Sequence, residues 1–168
     1  MTTLYVDNIA PNLQSKISAP DLTLPTGSVV QCVSTRFNTN FNTSSTSFAA
    51  TGHTLSITPS STNSKIFIVC SGGSWYISLG HAFETIYRTN TGTGGVTNLG
   101  DGVNGISRKN GDSGSQYSPH AMQVLDTPNT TNTLTYEARI RSETSGNTTY
   151  WAYPGYGYVT MTALEIAG

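Results

Sequence analysis

The sequence predicts an all-β fold, a sandwich or barrel of roughly eight or nine short strands behind an extended N-terminal arm. Three observations carry that expectation. The chain is rich in Thr, Ser, Asn and Gly, residues that suit strands and turns and are poor in helix interiors. Short β-branched and aromatic runs are separated by clusters of Gly, Pro, Asn and Ser, the pattern of many short strands joined by turns. No segment combines a helical period with capping residues at its ends.

Taken in order, residues 1–25 read as the arm and 26–168 as the strand-built domain. In the arm, Leu4, Val6 and Ile9 line one side of a short extended stretch, and Pro11, Pro20 and Pro25 interrupt it, because proline cannot donate to a sheet ladder. A segment with so little apolar content needs a surface to dock on. From Gly27 to Thr35 the chain reads as a strand, and Asn38 to Ala50 as a polar loop around Phe41 and Phe48. Thr54 to Thr58 alternates apolar and polar residues and stops at Pro59, so a half-buried strand is expected there. Ser60 to Ser64 is a turn cluster. Lys65 to Ser71 is almost wholly apolar, which suits a strand covered on both faces. Trp75 to Leu79 is a short strand or loop, and His81 to Arg88 a strand of mixed burial. Thr89 to His120 is expected as one long exposed segment holding at most a short strand near Val96 to Leu99; segments of that length are commonly functional. Ala121 to Leu125, Leu134 to Arg141, Thr148 to Tyr153 and Tyr158 to Ile166 complete the strands.

Charge and cysteine content exclude several classes. Charged residues make up 10% of the chain and the net charge is -1, against about 25% charged residues in ordinary domains. The basic residues are scattered, so no stripe is available to neutralise phosphates and nucleic-acid binding is not expected. No apolar run approaches the roughly 18 residues of a membrane span, and no signal peptide is recognisable. Cys32 and Cys70 both sit in apolar strand patterns and read as buried thiols, with a disulfide open only if their strands are neighbours of suitable geometry; no neighbouring Cys or His suggests a metal.

Motifs with catalytic associations fail on their surroundings. Gly111-Asp112-Ser113-Gly114 has the outline of a protease nucleophile loop, but the chemistry needs a His base oriented by a buried carboxylate, and neither His53 nor His81 has matching surroundings. His53, His81 and His120 lack metal-ligand spacing. Gly92-Thr93-Gly94-Gly95 lacks the Lys-Ser/Thr of a phosphate loop, and Asp101 to Gly105 lacks the spaced acids of a calcium loop. No cofactor is expected. The segment that stands out is Tyr150 to Tyr158, with five aromatic side chains around Pro154-Gly155. Aromatic faces with polar tips favour interfaces and stack on sugar rings. Trp151, Tyr153, Tyr156 and Tyr158 are therefore the candidate ligand or receptor contacts. The competing reading packs Tyr150 and Trp151 inward.

Four stretches carry a family resemblance: Tyr5-Val6-Asp7-Asn8-Ile9, the run from Ile57 to Val69 around Pro59, Asn98 to Gly102, and the terminal Ala163-Leu164-Glu165-Ile166-Ala167-Gly168. Together they resemble small virion structural proteins of tailed phages, especially those of phages infecting marine bacteria and cyanobacteria. The resemblance implies a jelly-roll-like antiparallel sandwich, assembled as a homotrimer and anchored to other virion proteins by its N-terminal segment. It implies a non-enzymatic tail fibre or tail appendage contacting host-surface glycan, or alternatively a capsid decoration protein. Such a protein is made in the host cytoplasm and released by lysis within the virion. On that reading Leu4, Tyr5, Val6 and Ile9 are the virion anchors.

Overall fold

Residues 24–111 and 114–168 are described in a computed structural model. The expected anchors Leu4, Tyr5, Val6 and Ile9 lie outside the described residues, as do Asp112 and Ser113. Eleven strands are present: β1 (Val29–Phe37), β2 (Phe41–Thr43), β3 (Ala49–Ile57), β4 (Lys65–Ile77), β5 (Gly80–Asn90), β6 (Val96–Asn98), β7 (Ser107–Gly111), β8 (Gln116–Asp126), β9 (Leu134–Ser142), β10 (Thr149–Trp151) and β11 (Val159–Ile166). The described residues contain no helix.

The strands form two antiparallel sheets. In the first, β4 pairs with β11 along one side and β8 along the other, and β1 completes it beyond β11. The short β10 and β2 extend this sheet beside the far end of β4. In the second, β9 lies between β3 and β5, and β7 and β6 follow each other along the outer side of β5. The longer strands thus run β1-β11-β4-β8 against β3-β9-β5-β7. Among these eight longer strands the chain changes sheets at every connection except β5 to β7, which is the double Greek key of a jelly roll. The fold class is therefore as the sequence predicted.

Strand alternation builds the core. β3 turns His53, Leu55 and Ile57 inward and Thr54 and Ser56 outward. β11 does the same with Val159, Met161, Ala163 and Glu165, and β9 with Leu134, Tyr136, Ala138 and Ile140. These meet Ile66, Ile68 and Cys70 of β4, Ile86 of β5 and Met122 of β8 in one buried cluster. A smaller cluster of Trp75, Ile77 and Ala82 lies apart from it.

Several expectations are corrected. There are more strands than expected, because β2 and β7 are short and polar; β6 is the short strand expected near Val96 to Leu99. The segment from Thr89 to His120 is not one long loop. β5 runs on to Asn90, β7 occupies Ser107–Gly111, and β8 starts at Gln116. Ser107–Gly111 has no apolar alternation of its own; its extended form comes from pairing with Gly80–Glu84. Lys65–Ser71 is covered on one face only, with Ile66, Ile68 and Cys70 fully buried and Phe67 and Val69 half-buried. Cys32 is exposed, not buried, because β1 alternates with Val33, Thr35 and Phe37 facing in. Cys32 pairs with outward Leu164 and Cys70 with inward Met161. The two thiols occupy opposite faces of the sheet and remain free.

A glycine bulge in β4 bends the first sheet. The register against β8 shifts between Gly72 and Trp75, and both glycines hold positive φ, 90° and 58°. A Cβ on Gly73 would stand 2.7 Å from a Val159 methyl. Beyond the bulge β4 leaves β11 and takes up β10, at Tyr76 and Ile77.

Glu165 locks the opposite end of the sheet. Its carboxylate is fully buried. Oε1 accepts the Ser60 N–H (2.7 Å), the Ser60 hydroxyl (2.6 Å) and the Ser64 hydroxyl (2.6 Å), and Oε2 accepts Gln31 Nε2 (2.5 Å). Burial opposes ionisation, but the hydrogen bonds from Ser60, Ser64 and Gln31 outweigh it and hold the carboxyl below its ordinary value. One side chain near the C-terminus thereby ties β1, the β3–β4 turn and β11 together.

Candidate functional site

Past the bulge, strand parity sends Trp75 and Ile77 inward and Tyr76 outward. Tyr76 is in register with Tyr117 of β8 on one side and Tyr150 of β10 on the other, so three tyrosines form a row across three strands. Tyr153 and Tyr156 join them from the β10–β11 turn. That turn is held by the Tyr153 N–H on the Ser74 carbonyl (2.7 Å) and the Tyr156 N–H on the Tyr153 carbonyl (3.3 Å). Gly155 and Gly157 adopt φ of 81° and 91°.

The five rings form one connected patch. Tyr76 lies 4.9 Å from both Tyr117 and Tyr153 and 5.3 Å from Tyr150, centroid to centroid. Tyr117 lies 5.3 Å from Tyr153 and 5.1 Å from Tyr156, the latter pair stacked at 20°. Tyr153 closes the set against Tyr150 (5.1 Å) and Tyr156 (5.6 Å). These are the offset and edge-on separations at which aromatic pairs attract. Tyr117 is 45% and Tyr156 56% exposed. Partial desolvation among the rings, then a hydrogen bond with Tyr153, raises the Tyr117 phenol above its ordinary value. Flat apolar faces rimmed by neutral hydroxyls can stack on a sugar ring or on another apolar surface and hydrogen-bond at the edge.

Of the residues singled out from sequence, Tyr153 and Tyr156 fall in the patch. Tyr158 is half exposed, with the Arg36 guanidinium 4.5 Å above its ring. Trp151 is corrected: it is fully buried and has no surface to offer, because β10 parity turns it inward while Tyr150 faces out. Sequence reasoning missed Tyr76 and Tyr117. Their outward parity beside inward Trp75 was a usable signal; the β4–β8 register that joins them was not.

Beneath the patch runs a buried polar seam. The Trp151 indole N–H donates to His53 Nδ1. His53 Nε2 meets the Thr39 hydroxyl at 2.9 Å, and its ring stacks on Phe37 at 4.5 Å. An indole nitrogen only donates, so His53 carries its proton on Nε2 and is neutral. Burial, then the charge of His120, lowers its pKa. His120 lies between Trp75 (6.0 Å) and Trp151 (4.0 Å). Its Nδ1 is 2.6 Å from Glu84 Oε2, and its Nε2 accepts the Ala152 N–H at 3.3 Å. The Trp75 indole donates to Thr149 Oγ1 (2.8 Å).

The Glu84–His120 dyad has the oriented His–carboxylate geometry of a general base, but both groups are fully buried. The free imidazole nitrogen takes a backbone N–H, and no hydroxyl or thiol among the described residues bonds to it. The dyad therefore holds Trp151 and Ala152 in place. His81 lies against Arg108 (2.6 Å) and Glu143 (3.8 Å). Asp101 accepts the N–H groups of Val103 and Asn104, which hold its carboxyl below the ordinary value. Among the described residues no three His, Cys, Asp or Glu side chains converge on a metal position, and no helix is long and apolar enough to cross a membrane.

No protein-family model matches the chain, and no curated protein is similar to it in sequence. Among solved structures it is similar to the D431N mutant VP2 protein of infectious bursal disease virus in derived T=1 particles. The TM-score is 0.44 at 14% identity, over 91% of this chain and 41% of that one. It is also similar to a chain of the Gt strain of infectious bursal disease virus, with a TM-score of 0.39 at 12% identity, over 92% of this chain and 42% of that one. The chain thus spans about two-fifths of the length of these viral chains.

Proposed function

We propose that this chain is a non-enzymatic structural protein of a tailed-phage virion. It acts as a tail fibre or appendage whose tyrosine patch contacts host-surface glycan. The observation that carries the reading is the patch itself: five tyrosines in ring-to-ring contact on a jelly roll with little surface charge. Such a face binds by stacking and neutral hydrogen bonds. The sequence resemblance to small phage virion proteins supplies the setting.

Residues 1–25 are the anchoring arm, with Leu4, Tyr5, Val6 and Ile9 docking on another virion protein. Self-association, which we propose to be into a homotrimer, is supported by an apolar row on the outer face of the first sheet. Cys32, Leu164, Phe67 and Leu125 follow one another in register across β1, β11, β4 and β8, and Leu125 is 54% exposed.

The test is a phage carrying Tyr117→Ala and Tyr156→Ala together. Both side chains are largely exposed, so particles should assemble normally and adsorb to cells several-fold more weakly. Unchanged adsorption, with particles that burst at lower temperature when the protein is deleted, would reject the tail reading. It would favour a capsid decoration that stabilises the shell by mass action.

A further inference from the structure

On the outer face of the second sheet, Arg141 of β9 is 9% exposed, and its guanidinium meets only neutral groups. Nε donates to the Val103 carbonyl at 2.8 Å, and Nη2 donates to the same oxygen. Nη1 donates to the carbonyls of Ser142 (3.2 Å) and Thr46 (3.4 Å). The group lies 4.1 Å from the Phe83 ring centre and 5.5 Å from that of Phe48. Among the described residues no carboxylate comes within 4.0 Å of it. Other arginines differ: Arg88 pairs with Asp126 at 2.6 Å and Arg139 with Glu137 at 2.9 Å. Buried charges are normally paired, so Arg141 presents a single uncompensated positive charge.

That charge faces a cleft. The loops around Ser45–Phe48 and Asp101–Gly105, which Arg141 ties together, border an open cleft of about 390 Å³ lined by Thr46, Ser47, Phe48, Tyr87, Val103 and Arg141. This is the lower end of the roughly 300–1,000 Å³ typical of small-molecule sites. Four of the five guanidinium N–H donors are engaged, which leaves one on Nη2. The hydroxyls of Thr46 and Ser47 make no hydrogen bond to any described residue. The Phe48 and Tyr87 rings stand 6.3 Å apart and add aromatic surface.

We infer that this cleft binds one carboxylated sugar residue, its carboxylate on Arg141, its ring hydroxyls on Thr46 and Ser47, and its apolar face on Phe48 and Tyr87. A monoanion fits better than a phosphate dianion, because one cation is unpaired and one N–H is spare. The site is separate from the tyrosine patch and stands whether or not the chain is a virion component.

The test is titration of the full chain with glucuronate, glucose and acetate, followed by calorimetry or NMR shifts. Glucuronate should bind with a Kd in the millimolar range, at least tenfold tighter than either glucose or acetate, and more weakly as salt is raised. Thr46→Val with Ser47→Ala changes two exposed side chains and should weaken glucuronate several-fold. Arg141→Lys keeps the charge but not the fork, and should weaken it further without loss of fold by circular dichroism. Tyr156→Ala should leave it unchanged. Equal affinity for glucose and glucuronate would overturn the assignment. So would binding that survives the Thr46/Ser47 changes, or that disappears with Tyr156→Ala.

Discussion

Glu165→Ala is the most informative single change to the fold. The substitution removes a fully buried carboxylate that accepts four hydrogen bonds from Gln31, Ser60 and Ser64. Hydrogen bonds to a charged group contribute about 1.5–3 kcal/mol each, and desolvation of the carboxylate offsets several kcal/mol of their sum. Ser60 is exposed and can turn to water, whereas Ser64 is buried and cannot. The expected net loss is about 3–5 kcal/mol, or a Tm decrease of about 6–20 °C for a domain of this size. Glu165→Gln should lose less, because its amide oxygen can still accept from Ser60 and Ser64. The pH dependence has a definite sign. The folded carboxyl lies below its ordinary value, so its contribution is present above the ordinary carboxyl pKa and lost as pH falls through the folded one. In urea melts the gap between native protein and Glu165→Gln should therefore be widest near neutrality and close in acid. An Ala variant with unchanged Tm, or a gap independent of pH, would refute the role given to this carboxylate.

Acid should weaken the fold from a second source. Folded His53 has a lowered pKa, so below about pH 6.5 the unfolded chain takes a proton that the native chain refuses. The unfolding free energy read from urea melts should fall from pH 7 to pH 5, by at most about 1.4 kcal/mol per pH unit for that proton. His53→Gln, whose amide oxygen can accept the Trp151 N–H, should flatten the profile. A maleimide should label Cys32 in the dissociated native chain, more slowly where the proposed homotrimer covers that face, and reach Cys70 only on unfolding. Cys70 is fully buried, and burial, then the Glu84 charge, pushes its thiol well above the ordinary value. Gly73→Ala should cost about 1–3 kcal/mol, since its φ is 58° and the new methyl would meet Val159; a thermal melt reads it directly.

The jelly roll was legible where side-chain parity was strict. Thr54–Thr58 and Tyr158–Ile166 alternate cleanly, and both are strands with one buried face. Ser107–Gly111 was not legible, because a polar strand is set by its partner rather than by its own residues. Cys32 was misjudged from an apolar run, although the parity of Val33, Thr35 and Phe37 already placed it outside. In the patch, the density of aromatics exposed Tyr153 and Tyr156; parity could mark Tyr76 and Tyr117 as outward, but only register joins them to the patch. Arg141 gave no signal at all; its neighbours Thr46 and Val103 come from distant loops. The Ser60–Ser64 turn and the terminal strand looked like separate motifs in the sequence. In space they are one contact, closed by Glu165.

Patch and seam are two sides of the same strands. On β4, Trp75 faces in and Tyr76 faces out; on β10, Trp151 faces in and Tyr150 faces out. The inward indoles are fixed by His53 and Thr149, and His120 packs against both of them. The backbone beneath the tyrosines is thereby held by groups that cannot move without leaving a buried donor unpaired. On the glycan-contact reading proposed above, ordering each tyrosine side chain on binding would cost about 0.5–1.5 kcal/mol. A face whose rings already touch one another, on strands bolted from below, loses little more of that freedom when a ligand arrives. On that reading the polar seam serves the patch: its hydrogen bonds specify one geometry for the strands that carry the rings.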